Sequence, residues 1–151
     1  MTAEELLQRY ANGERDFTGV DLSDEDFSLA QLSEINLRNA ILNQTVFDCA
    51  NLSGADLSSS YLFQSSFDST DLSNANLSGS NLAESSFRNA LLSNTNFSYT
   101  NLSSATFSNA SVVSAIFDSA LFCDTKMPDG TWRNDGCDFI EEWRRGEFRV
   151  S

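Results

Sequence analysis

From Phe17 to Phe122 every fifth residue is large and apolar, at twenty-two consecutive positions and without an insertion. All are Phe or Leu except Val112. Two residues before each lies a second column, which from Ala30 onward holds Ala, Ser or Thr, with Ile35 as its one large member. A period of five matches neither the 3.6 residues of a helix turn nor the alternation of a lone strand. It suits a chain that turns a corner every five residues, so that four corners close a coil of twenty. The phenylalanines support twenty over fifteen or twenty-five. Phe27, Phe47, Phe67, Phe87 and Phe107 recur at that spacing and are expected to stack as a ladder on one face. Phe97 and Phe117 begin a second, shorter one.

Repeats such as Ala50-Asn51-Leu52-Ser53-Gly54, Ala55-Asp56-Leu57 and Ala75-Asn76-Leu77-Ser78-Gly79 resemble the pentapeptide-repeat family, whose unit is similar to Ala-(Asp/Asn)-Leu-x-x. The resemblance implies an all-β solenoid, a right-handed quadrilateral β-helix with short N- and C-terminal helical caps, in which the large and small columns both point inward. At roughly 4.8 Å per stacked strand the repeats would make a rod about 26 Å long. Large beside small fills a narrow interior without overpacking. Backbone groups pair with the coils above and below, so only the two ends stay open. Asp16, Asn36, Asp56, Asn76 and Asn96 also recur every twenty residues and should form a polar ladder whose short side chains satisfy corner amides.

The expected organisation is an N-terminal helical cap over 1–14, the β-helix of about 22 repeats over 15–124, and a turn with a helical cap over 125–151. Thr2 to Glu5 is a capping-box pattern that opens a helix through about Ala11, with Leu6, Leu7 and Tyr10 over the first coil. Asn12-Gly13 ends it. Pro128-Asp129-Gly130 marks a turn away from the last coil. Asp138 with Glu141 reads as a second N-cap, before a short helix whose Phe139, Ile140 and Trp143 seal the final coil together with Trp132 and Phe148. Arg15 and Glu25, beside the N-terminal cap, are expected to pair.

The chain has 151 residues, 22 acidic and 9 basic, for a net charge of −13, and no histidine. That acidity disfavours nucleic acid and anionic membranes as direct partners and serves solubility. No apolar stretch is long enough to span a bilayer, and MTAEELLQRY lacks the basic and apolar regions of a secretory signal, so a cytoplasmic location is expected. A Cys123–Cys137 bridge is open near the C-terminal cap, but three free thiols, with Cys49, are the expectation in a cytosolic chain. Without histidine the many hydroxyls have no evident activator, and no G-x-S-x-G is present. Asp21, Asp24, Glu25 and Asp26 lack the spacing of a calcium loop. The reading is non-enzymatic, with no catalytic residue, cofactor or metal.

Function is therefore sought on the outer surface. Ile41 and Tyr61 are vertical neighbours in an otherwise polar outward column, and Phe63 lies one outward position further. These three form the candidate protein-interaction patch. Leu29, Leu91 and Tyr99 are outward too, but scattered. The expectation is a protein-binding scaffold, monomeric with a dimer left open. The alternative comes from the resemblance: some family members resemble DNA in shape and charge and modulate type II topoisomerases. Residues 16–122 carry 12 acids against Arg38 and Arg88. The acids are scattered, however, and in the column Ser28, Asp48, Asp68, Arg88, Ser108 an arginine interrupts the row. The acid-rich N-terminal helix leading into repeats is similar to small cyanobacterial members.

Overall fold

The computed structural model describes residues 1–146. Its backbone is set by parallel bridges between residues twenty apart. Asp16 pairs with Asn36, Asn36 with Asp56, and the pattern continues on all four sides to Thr106 with Lys126. Each coil is thus twenty residues and four-sided. Every large-column residue is buried up to Leu102 and Phe107. Phe27, Phe47, Phe67, Phe87 and Phe107 stack with ring centroids 5.4, 5.2, 5.0 and 4.9 Å apart. Phe97 and Phe117 stack beside them at 5.1 Å, meeting the first ladder edge to face.

The corners have one geometry. At nearly every corner the amide three residues after the large residue donates back to that residue's carbonyl, as Ala30 to Phe27 and Ala75 to Leu72, whereas the Ser60 amide donates to the Ser80 hydroxyl. The residue just before that donor has a left-handed φ: Leu29 (66°), Asn74 (63°), Gly79 (71°), Tyr99 (60°). A four-residue turn with φ positive at its third position has the form of type II. The Asp/Asn ladder supplies the remaining acceptor, since Oδ1 of Asp16, Asn36, Asp56, Asn76 and Asn96 takes the amide two residues on. Inside, buried hydroxyls of Thr45, Ser60, Thr70, Ser80 and Thr95 donate to carbonyls one coil earlier. The polar members of the small column are therefore satisfied rather than merely small.

At the N-terminal end α1 (Ala3–Ala11) begins at Thr2, whose hydroxyl accepts the Glu5 amide. Leu6 is fully buried, with Leu7 and Tyr10 packed partly against the core. The expected Arg15–Glu25 pair does not form. Glu25 Oε2 instead accepts the Ala3 amide at 2.9 Å, drawn to the positive end of α1. Arg15 stacks on the Tyr10 ring and donates to the Tyr10 carbonyl.

The C-terminal end departs further from expectation. Past the last corner, β1 (Thr125–Lys126) turns back through Pro128–Gly130 to β2 (Trp132–Arg133). Gly136 then passes so close that an added Cβ would lie 3.0 Å from the Phe122 amide nitrogen. This return brings the Cα atoms of Cys123 and Cys137 to 4.8 Å, and the two are joined by a disulfide, leaving Cys49 free. The expectation of three free thiols is thereby corrected. Sequence spacing could not reveal a hairpin that brings the two cysteines together. Asp138 is no N-cap either. A 3₁₀ turn (Cys137–Phe139) runs directly into α2 (Ile140–Arg144), whose N-cap residue is Phe139, with no side-chain cap bond. Nor does α2 seal the coil: Trp132 and Phe139 stay exposed, and Trp143 lies along the side of the rod. The Arg133 guanidinium, 3.7 Å from the Phe122 ring centroid, covers that side of the end instead. Phe148 falls outside the described residues.

Candidate protein-interaction face

On one face the flat positions of successive coils are Ile41, Tyr61, Asn81 and Asn101, linked in that order by parallel bridges. Ile41 and Tyr61 are vertical neighbours, but differ in exposure. Tyr61 is 56% exposed, whereas Ile41 and Phe63 are half-buried. Phe63 sits in the next corner, where its amide donates to Asn43 Oδ1 from the coil before. The outward aromatic surface of this trio is therefore mainly Tyr61.

A second aromatic centre lies close by. The corner beside this face carries Asn39, Ser59, Gly79 and Tyr99 in successive coils, all with left-handed φ. Gly79 leaves a gap in the column between Ser59 and the half-exposed Tyr99. Trp143, from α2, donates its indole N–H to the Tyr99 carbonyl at 2.8 Å across a sequence separation of 44. The result is a groove of about 630 Å³ bordered by Tyr61, Gly79, Asn81, Tyr99, Trp143 and Arg144. Arg144 is paired with Glu141 at 2.6 Å. The groove thus sets the aromatic rings of Tyr61, Tyr99 and Trp143 among the polar side chains of Asn39, Ser59, Ser60, Asn81 and Arg144, on an otherwise acidic rod. Tyr61 is the member anticipated from sequence as part of a patch, and Tyr99 was visible only as an isolated outward residue. The glycine interrupting the Asn39–Ser59–Tyr99 column was a usable signal. Trp143 was not legible, because nothing periodic relates α2 to the coils.

Most aspartates of the repeats hydrogen-bond within or between the corners. Asp16 is held below the usual carboxylate range by hydrogen bonds from the Thr18 hydroxyl and amide, and Asp26 likewise by Ser28. Asp21 is lowered chiefly by the Ser23 amide. Asp48 accepts the Ser66 hydroxyl and the Asp68 amide, and Asp68 in turn accepts the Ser86 hydroxyl and the Arg88 amide. Arg38 approaches Asp56 at 3.7 Å. Among the described residues no group of three His, Cys, Asp or Glu side chains is placed to hold a metal ion, and no helix is long and apolar enough to cross a membrane.

A family model for pentapeptide repeats matches eight copies over residues 26–62 and 70–109, half of the chain. The chain belongs to the pentapeptide-repeat family. Among solved pentapeptide-repeat structures, Rfr23 from the cyanobacterium Cyanothece 51142 is similar over 83% of this chain and 97% of its own, with 20% identity and a TM-score of 0.74. That likeness shows the fold, and the right-handed quadrilateral β-helix stands. HetL, a pentapeptide-repeat protein of Nostoc sp. strain PCC 7120 involved in heterocyst differentiation regulation, matches 88% of this chain and all of its own at 18% identity, with a TM-score of 0.33. The plasmid-mediated fluoroquinolone resistance protein QnrB1 matches 87% of this chain and 85% of its own at 19% identity, with a TM-score of 0.45. No curated protein sequence matches this pentapeptide-repeat chain.

Proposed function

We propose that this pentapeptide-repeat chain is a non-enzymatic scaffold that holds a protein partner against the groove between Tyr61 and Tyr99. The observation that carries the reading is the pairing of two half-exposed tyrosines across the Gly79 gap, on a rod whose other outward columns are mainly Ser, Asn and Asp. Tyrosine gives a large contact area at low side-chain entropy cost, which is why it anchors interfaces. The topoisomerase-modulating alternative is less well supported. Arg88 interrupts one acid column, and Asp48, Asp56 and Asp68 each use an oxygen within the corners.

Two substitutions test the groove. Tyr61→Ser removes an anchor. Gly79→Asn fills the gap with a residue that the same corner already accepts at Asn39, and the new Cβ meets only Ser59, its Oγ at 3.4 Å and its amide nitrogen at 4.0 Å. A protein captured from native extract by wild type is to be purified and titrated against both variants. Each should weaken binding by about tenfold or more, the effect of losing one well-packed anchor, while Phe63→Ser should change it little. Unchanged affinity in both variants would move the interaction off this groove.

A further inference from the structure

The side of the rod that follows the Tyr61 face in each coil carries Asp26, Val46, Ser66, Ser86, Thr106 and Lys126, linked in that order by parallel bridges. Along this side and its corner the charge changes sign. Asp26, Asp48 and Asp68 stand towards the N-terminal end. Towards the other end stand Arg88, which breaks the aspartate row, and Lys126, the one lysine of the chain. Arg38, the other arginine of the repeats, approaches Asp56. Among the described residues neither Arg88 nor Lys126 forms an ion pair.

These two cations border one depression of about 360 Å³, lined also by Ser86, Ser104, Thr106 and Trp132. Trp132 comes from β2, whose pairing with β1 sets it opposite Lys126. Lys126 Nζ lies 5.9 Å from the centre of the indole ring, yet Trp132 remains 62% exposed. Arg88 donates to the Ser86 hydroxyl, which donates in turn to Asp68. Glu84 also lines the depression, and its Oε2 is engaged, accepting the Gln64 side-chain amide at 2.7 Å. Among the described residues none lines both this depression and the groove at Tyr61. The two are separate places on adjoining sides of the rod.

We propose that this depression binds a small ligand bearing both a phosphate and a planar ring, the chemistry of a nucleoside monophosphate. Arg88 and Lys126 supply the positive charge, and a guanidinium meets phosphate oxygens with two parallel donors. The hydroxyls of Ser104 and Thr106 add donors without adding charge. Trp132 offers an exposed indole face on which a ring can stack. A bare anion would leave that indole unused, and a neutral aromatic ligand would leave both cations unused. The volume fits a single nucleotide. A longer polyanion is disfavoured, because the aspartate row begins below Arg88 and the rod as a whole carries −13.

Nuclear magnetic resonance titration of the full chain tests the site, following the Trp132 indole and the amides of Arg88 and Thr106 as adenosine monophosphate is added. All three signals should move and saturate, with a dissociation constant of about 1 mM or tighter. Adenosine, ribose phosphate and inorganic phosphate each lack part of the ligand and should bind at least about tenfold more weakly. Arg88→Ser with Lys126→Thr should weaken the nucleotide by about tenfold or more, and Trp132→Thr should do likewise. Ser already occupies the Arg88 column at Ser28 and Ser108, Thr precedes Lys126 in its column at Thr106, and Trp132 is exposed. Unchanged amide signals from Phe27 to Leu77 verify that the variants keep the coils. Signals that stay still up to about 10 mM nucleotide overturn the proposal. An affinity that survives the double variant overturns it too, as does ribose phosphate binding as tightly as the nucleotide. Movement confined to Tyr99 and Trp143 would place the ligand in the groove instead, and a phosphoserine peptide that binds more tightly would give the site to a protein; either result also sinks the assignment.

Discussion

At the scale of single residues, the corner position with left-handed φ decides what the repeat tolerates. It is occupied by Gly, Asn, Asp, Ser, Gln, Glu, Leu, Cys and Tyr, and never by Val, Ile or Thr. A β-branched side chain there crowds its own backbone, so the column excludes it. Asn74 has φ 63°, and the same position in the coils before and after holds Gly54 and Asn94, both also left-handed. Asn74→Val should destabilise the fold by about 1–2 kcal/mol, with Asn74→Gly close to neutral. Urea unfolding of the two variants measures the difference, and equal midpoints would show that the turn relaxes out of the left-handed region. This column was legible in the sequence as a list of permitted residues, but its φ was not, because Leu29, Cys49 and Tyr99 do not announce a left-handed turn.

At the scale of elements, the coils and the C-terminal segment are held by different forces. Within the coils, stacked phenylalanines, buried hydroxyls and coil-to-coil backbone bonds repeat every turn, so each coil depends on its neighbours. The segment from Asn134 to Arg144 contributes one buried residue, Gly136, and is tied to the rod by the disulfide, the Gly136–Phe122 bond and Trp143 on Tyr99. A disulfide closing a 14-residue separation restrains the open form by up to about 3 kcal/mol. Cys137→Ser, or dithiothreitol on the wild type, should therefore speed amide exchange around 121–137 while leaving the coils from Phe27 to Ala105 protected. Exchange that accelerates uniformly along the rod would instead mean that the bridge supports the whole solenoid. Because Trp143 borders the groove, the same variant should also alter the surface around Tyr99.

At the scale of the whole molecule, charge works against the coils. The net charge is −13, and within residues 16–122 two arginines face 12 acids. Among the described residues, the ion pairs Arg9–Glu14, Arg38–Asp56, Arg133–Asp135 and Arg144–Glu141 involve exposed side chains, and such pairs are worth little. Self-repulsion should dominate and be screened by salt, whose Debye length falls from about 30 Å at 0.01 M to about 10 Å at 0.1 M. Across that range the melting temperature should rise by about 2–4 °C, roughly 1 kcal/mol for a chain of this size. Calorimetry at the two salt concentrations checks the sign, and a fall would show the ion pairs outweighing the repulsion.

Sequence alone determined the solenoid: the coil of twenty, the phenylalanine ladder and the Asp/Asn corner ladder. Each follows from a local rule repeated until one register satisfies all of them, so the period in the chain is the period in space. It also determined the acidity and marked Tyr61 as outward. The tertiary structure decided what lies beyond the repeats. Glu25 turned to the Ala3 amide rather than to Arg15, Cys123 met Cys137, and Trp143 came to rest on Tyr99 instead of over the last coil. None of these contacts is periodic. Each depends on the path of a short segment that folds back on the rod, and that path is chosen by which surfaces the coils leave uncovered once they have stacked.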